Sequence, residues 1–366
     1  MNDSPDIAVE VVGLSKAYGS VVAVKSIDLA IESGQYFVLL GPSGGGKTTL
    51  LRLIGGFIRP GAGTILLHGC DVTGLPPNRR PTTMVFQGYA LFPHMNVEKN
   101  VGYGLRLRKL AKDEIRENVH RMLGLVGLEG YEARMPHELS GGQQQRVQLA
   151  RSLVLDADIL LLDEPLAALD AKLRKDMCIE LKRIQEQIGI TFIHVTHNQE
   201  EAMTIADRIA IIAAGELVEE GTARDVYERP VNRFTADFIG ENNIFDGAVA
   251  AQSEKEVVID LGYGQIAVPP SPAAPADGSA VAVSIRSERL QLLERNAPLG
   301  DGMQALPGTY LKQVYVGLTT SHLVALPDGQ EIIVRELSQS GDGVDLHAGR
   351  EVIVAWDQAD ARLLEF

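Results

Sequence analysis

The 366-residue sequence predicts an α/β domain with a parallel sheet over residues 1–240, followed by an all-β domain over 241–366. Three observations carry that expectation. Continuous apolar strands at Phe37–Leu40, Ile159–Leu162 and Thr191–Val195 alternate with amphipathic stretches, as a sheet covered on both faces requires. The first of these strands runs directly into a glycine-rich loop at Gly41, a strand–loop–helix pattern. After Gly240 the texture changes to short β-branched runs separated by Gly, Pro or Asp, which read as a barrel.

Length and composition bound the rest. A chain of 366 residues exceeds what one core comfortably organises, so two domains are expected. A formal charge of −14 argues against a general nucleic-acid binder and against adhesion to an anionic membrane surface. Residues 241–366 hold 18 acidic and 8 basic side chains, which reads as a solvated acidic face. Cys70 and Cys178 share no short motif, so neither a disulfide framework nor a zinc site follows, and a reducing compartment is the natural setting. Met1–Asp6 lacks the layout of a signal peptide, and no apolar run has the length of a membrane span. The expectation is a soluble chain that meets a membrane only through partners.

Taken in order, the elements follow from residue spacing. Leu50 onward reads as the helix after the glycine loop. Leu169, Leu173, Met177, Leu181, Ile184 and Ile188 recur at three and four residues and form one apolar stripe, which Gly189 ends. Met177 in that stripe is core packing. Ser140 stands where an N-cap would start a helix running to about Leu155. In the second domain the runs Val257–Ile259, Val281–Ile285, Tyr310–Val316, Glu331–Val334 and Val352–Val354 read as strands, and Pro269–Asp277 as a loop.

The chemistry lies at the ends of these elements. Gly41, Pro42, Ser43, Gly44, Gly45, Gly46, Lys47, Thr48 and Thr49 match Gly-x4-Gly-Lys-Thr between a strand and a helix. Glycines there let backbone N–H groups surround phosphates, Lys47 reaches the outer phosphates, and the Thr48 hydroxyl can ligate Mg²⁺. Ile159–Leu162 delivers Asp163 to the sheet edge, where a carboxylate can hold Mg²⁺; Glu164 is then placed to act as general base toward water. Alone, a strand ending in Asp-Glu is a solvated turn, but downstream of a phosphate loop it completes a nucleotide hydrolase. Leu139-Ser140-Gly141-Gly142-Gln143 supplies a second anion-receptive helix start, or simply a capped helix.

With these motifs the first domain resembles the ABC ATPase family. Leu139–Gln143 is similar to that family's signature motif, which contacts nucleotide held by the opposite subunit. Gln87 in Val-Phe-Gln-Gly resembles the Q-loop glutamine, which senses Mg²⁺ and faces the membrane subunit. Ala168-Leu169-Asp170 resembles the D-loop, His197 the switch histidine at the γ-phosphate, and Tyr18 the ring that stacks on adenine. The resemblance places a helical signature subdomain at about 88–157. Asn198 stands where the family commonly has aspartate, and Gly88 where a larger polar residue is usual; neither removes a catalytic group.

The second domain resembles the transport-associated OB domain of bacterial importer ATPases, with Ser284-Ile-Arg286-Ser287-Glu288 in place of the usual Arg-Pro-Glu. Phe238–Asn243 resembles the junction of polyamine-type importers, with ferric-iron, phosphonate and sugar importers as alternatives. The resemblance implies ATP and Mg²⁺ (the latter at Thr48, Gln87 and Asp163) and a homodimer sandwiching two nucleotides. It further implies two permease subunits, a solute-binding protein, no nucleic acid, and a place at the cytoplasmic face of the inner membrane. A soluble ABC ATPase of DNA maintenance or translation is disfavoured by the absence of coiled-coil insertions or a second cassette; a regulatory role for residues 241–366 is compatible with the first reading.

Overall fold

The computed structural model describes residues 6–88, 90–270, 276–338 and 346–365. The start of the chain and the centre of the Pro269–Asp277 loop lie outside the described residues. The chain divides into two compact units between Arg224 and Asp225.

In the first unit the elements run β1 (Ile7–Tyr18), β2 (Val21–Glu32), β3 (Tyr36–Leu40), α1 (Lys47–Ile54), β4 (Ala62–Leu67), β5 (Cys70–Asp71) and β6 (Thr82–Val85). There follow α2 (Val97–Val101), α3 (Tyr103–Leu107), α4 (Lys112–Leu125), α5 (Gly141–Leu153), β7 (Ile159–Asp163), α6 (Ala171–Ile188) and β8 (Thr191–Thr196). The unit closes with α7 (Gln199–Ile205), β9 (Arg208–Ala213) and β10 (Glu216–Gly221). The central sheet has the order β10-β9-β3-β8-β7-β6 and is parallel apart from the β9–β10 pair. Every residue of β3, β7 and β8 is buried, which is why these strands read as unbroken apolar runs.

A second sheet, β2-β1-β4-β5, is antiparallel and was not foreseen from the sequence. Its inner face (Val9, Leu14, Ile27, Ile31), α1 (Leu50, Leu53) and one face of the central sheet (Phe37, Leu39, Ile193) belong to one core. The phosphate-loop helix is thus buried on two sides. Helix α1 begins at Lys47 rather than Leu50, and α5 ends at Leu153. Leu169 is buried, as its stripe requires, yet lies outside α6, because Asp170 caps that helix by accepting from Leu173 N at 2.9 Å. Gly189 ends α6 in the left-handed conformation that the sequence reading assigned to it.

Helix α8 (Ala223–Glu228) spans the division, and the second unit continues with α9 (Arg233–Phe238), β11 (Asn242–Gln252), β12 (Val257–Asp260), β13 (Gln265–Val268), β14 (Ala280–Arg286) and β15 (Gln291–Glu294). It ends with β16 (Met303–Val316), β17 (Thr319–Ala325), β18 (Glu331–Leu337), β19 (Glu351–Asp357) and β20 (Arg362–Leu364). Two five-stranded antiparallel sheets, β13-β12-β11-β14-β20 and β15-β19-β16-β17-β18, enclose one core around Trp356, Phe245 and Tyr310. Asn243 joins them by donating to Ile333 O and accepting from Ile333 N, both at 2.8 Å. The compact unit starts sixteen residues before the compositional change at Gly240, because residues 227–240 are fastened to β14. Arg286 donates to the carbonyls of Tyr227 and Ile239 and lies 4.1 Å over the Tyr227 ring.

Candidate nucleotide-binding site

At Gly41, Gly45 and Gly46 the phosphate loop packs so closely against its neighbours that a side chain has no room. A Cβ on Gly41 would stand 2.0 Å from Ile212 O, and one on Gly46 2.3 Å from Ala23 O. Gly46 also has a φ of 106°, which admits glycine readily and starts α1 without a side-chain cap. The first N–H groups of a helix have no intrahelical partner, so a helix start without a side-chain cap can receive phosphate. Lys47 folds across the same loop: its Nζ donates to Gly41 O at 2.7 Å and Pro42 O at 2.8 Å. Burial pulls the Lys47 pKa down, while Glu164 and Asp163 oppose that shift.

At the next residue, Thr48 Oγ1 donates to Asp163 Oδ1 at 2.9 Å, and Arg52 Nη2, one turn further along α1, lies 3.3 Å from Asp163 Oδ2. The buried Asp163 carboxylate is therefore aligned by a hydroxyl and a guanidinium. A hydroxyl beside a carboxylate at the mouth of a phosphate cradle is a hard-oxygen donor pair that suits Mg²⁺, which takes its other ligands from phosphate and water. Arg52 escaped the sequence reading; its signal is its place five residues after Lys47, on the helix turn beyond Thr48.

Glu164 is the meeting point of three segments. Its Oε2 accepts from Gln87 Nε2 at 3.1 Å, and its Oε1 lies 3.4 Å from His197 Nδ1. Its backbone takes a φ of 46°, strained for a non-glycine residue, and is held there by donation to Val195 O at 3.1 Å. That twist turns the chain at the end of β7 and presents the carboxylate between the segments after β6 and β8. The structure thus brings together Lys47, Thr48, Gln87, Asp163, Glu164 and His197, drawn from four parallel strands' C-terminal ends.

Other expected residues share no hydrogen bond with this group among the described residues. Ser140 caps α5 by accepting from Gln143 N at 3.4 Å, and Gln143 Oε1 accepts from Ser140 N at 3.0 Å, a reciprocal capping box. Gly141 opens that helix, and a Cβ on Gly142 would meet Leu173 at 3.2 Å, so a small residue lets α5 approach α6. No hydrogen bond among the described residues joins Ser140–Gln143 to the phosphate loop. Tyr18 ends β1 with its ring 50% exposed and Lys16 Nζ 5.3 Å from its centroid. The Gln87 segment is held by a residue the sequence reading passed over: buried Gln148 on α5 donates to Phe86 O at 3.2 Å and Gly88 O at 2.9 Å. Gly88 contacts nothing that would exclude a side chain.

Comparison with known proteins accords with this geometry. The ABC transporter family matches residues 24–167, and the TOBE domain family residues 283–364. The spermidine/putrescine import ATP-binding protein PotA of Rubrobacter xylanophilus is 44% identical over 98% of this chain and 94% of its own length. The protein of the same name from Roseobacter denitrificans is 45% identical, covering 98% of both chains. Among solved structures, cbiO1 of Clostridium perfringens, part of an ABC transporter complex, is 31% identical with a TM-score of 0.57, covering 60% of this chain and 90% of its own. The ATP-binding cassette MJ0796, in a dimeric post-hydrolysis state bound to ADP and Pi, is 31% identical with a TM-score of 0.53, covering 59% of this chain and 99% of its own.

Proposed function

This chain belongs to the ABC transporter ATP-binding family, and from that premise we propose that it hydrolyses ATP to drive import of a polyamine of the spermidine/putrescine class. The observation that carries the enzymatic reading is the position of Glu164, one residue beyond Asp163 and held between Gln87 and His197.

Each residue has a physical task. The Gly41–Thr49 backbone and Lys47 bind the phosphates; the ammonium exchanges its loop carbonyls for phosphate oxygens. Thr48 and Asp163, with Gln87 alongside, would hold Mg²⁺, which neutralises charge on the outer phosphates when bound. Glu164 accepts the proton of the attacking water, and His197 and Gln87 fix the orientation of its carboxylate. Tyr18 offers an exposed ring to the adenine.

That Ser140–Gln143 share no hydrogen bond with the loop among the described residues is in keeping with a site completed by a second copy, with Ser140, Gly141 and Gly142 of that copy capping the phosphates and Asp170 at the same interface. Two permease subunits would dock near Gln87, on the cytoplasmic face of the inner membrane, and a solute-binding protein would deliver the cargo. No helix among the described residues is long and apolar enough to cross a membrane, so translocation falls to those partners.

Replacing Glu164 with Gln tests the base. The variant should bind ATP with near-native affinity and lose hydrolysis by about 10²-fold or more. Hydrolysis at the wild-type rate would remove Glu164 from the mechanism.

A further inference from the structure

Behind the hydrolytic residues lies a buried polar cluster that neither motif accounts for. Glu201, on the first turn of α7, is 5% exposed. Its Oε2 accepts from Thr196 Oγ1 at 2.7 Å, and its Oε1 lies 3.4 Å from Arg174 Nε. Thr196 and Asn198 flank His197, and both are bound into this cluster. Asn198 N donates to Thr196 Oγ1 at 3.0 Å, while Asn198 Oδ1 accepts from Glu201 N at 3.0 Å. On the other side, Arg174 Nη2 donates to Leu169 O at 2.7 Å. On the far side of Glu201, His194 Nε2 stands 3.7 Å from Oε2, and its Nδ1 shares a 3.0 Å hydrogen bond with Tyr36 OH.

The consequence concerns the loop that carries the base. Residues Glu164–Asp170 connect β7 to α6, and the two ends of that loop are fastened to β8 and to α7, the elements that flank His197. Glu164 N donates to Val195 O, and Leu169 O is reached from Glu201 through Arg174. A buried carboxylate that has lost water must be held by its partners, so these bonds fix relative position rather than decorate a surface.

We propose that Glu201, acting with Arg174, is a positioning residue that locks the Ala168–Asp170 turn to the His197 loop and so sets the alignment of His197 on Glu164. This rests on the reading of Glu164 and His197 as the hydrolytic pair. The pair touches no substrate; it makes the two loops move as one body. A shift of the turn is thereby passed to the carboxylate that activates water. Misalignment of that order lowers the chemical step while leaving the phosphate cradle intact.

The test is a kinetic cycle on the full chain with Glu201→Gln, Arg174→Ala and the double variant, together with Thr196→Val, which keeps shape and removes only the hydroxyl. Each single variant should lower kcat for ATP by about 10-fold or more with KM changed by less than about 2-fold. The double variant should be no slower than the slower single one. If kcat is unchanged, if KM alone rises, or if the two losses multiply, the proposal is overturned. Loss of folding by Glu201→Gln leaves Thr196→Val to decide on the same criteria. Wild-type hydrolysis by Glu164→Gln would refute the underlying mechanism; loss there with normal kcat in Glu201→Gln and Thr196→Val would refute this proposal alone.

Discussion

Glu164 departs from what a strand ending allows, and its φ of 46° places a carboxylate where ordinary backbone would not. Left-handed geometry at a non-glycine residue costs about 1–3 kcal/mol and persists only where surroundings impose it, here the bond to Val195 O. His194 illustrates the opposite economy. It is wholly buried, and burial pushes its imidazole down to about 3, so the native ring is neutral and the 3.7 Å approach to Glu201 is not an ion pair. Below its ordinary pKa near 6.5 the unfolded chain takes up a proton that the native ring refuses, so stability is lost as pH falls through that range. Burial raises the Glu201 pKa, which works in the reverse direction, since a native carboxyl then protonates before an unfolded one as pH falls. The melting temperature of the wild type should therefore drop more between about pH 7 and about pH 5 than that of His194→Gln. Equal drops would show that His194 contributes nothing to acid sensitivity.

Among the elements, the ones that bear phosphate chemistry were legible because their signals are local. A five-residue apolar strand, four glycines and a lysine define the loop, and Ser140 marks the start of α5 as its N-cap. The β1–β2–β4–β5 sheet was not read from the sequence: β1–β2 and β4–β5 are local hairpins, but the β1–β4 pairing that joins them sets Val9 beside Leu67, nearly sixty residues on. Arg52, Gln148, Arg174 and Glu201 were missed for the same reason: their partners are set by packing, and a lone polar residue in a helix carries no signature of a distant one. In the β unit, Arg286 belongs to a motif that the sequence did reveal, yet its task emerged only from the fold. It satisfies carbonyls of Tyr227 and Ile239, and a Cβ on Gly240 would lie 2.6 Å from its Nη1. Ser287 replaces the usual proline and donates its N–H to Glu241 O at 3.1 Å, a bond proline lacks. Arg286→Met should destabilise the second unit by about 2–4 kcal/mol through carbonyls left buried without donors. Denaturant unfolding of the full chain reads this directly, and an unchanged midpoint would mean that residues 227–240 are held by other contacts.

For the whole molecule, the two motif sets divide the work. Residues from the phosphate loop and from the ends of β6, β7 and β8 converge within one chain, whereas Ser140–Gln143 form a capped helix start that shares no hydrogen bond with them among the described residues. The expectation of half a site per chain comes from the likeness of Leu139–Gln143 to the family's signature motif, and similarity to a dimeric cassette is in keeping with it. The reading of the cargo rests on relatives 44–45% identical over nearly the full chain, which are spermidine/putrescine import ATP-binding proteins. The account as a whole is tested most directly by uptake of labelled spermidine into cells that lack this chain but retain the permease and solute-binding partners. Wild-type chain should restore ATP-dependent uptake and Glu164→Gln should not. Restoration by Glu164→Gln, or spermidine uptake indifferent to the presence of the wild-type chain, would contradict it.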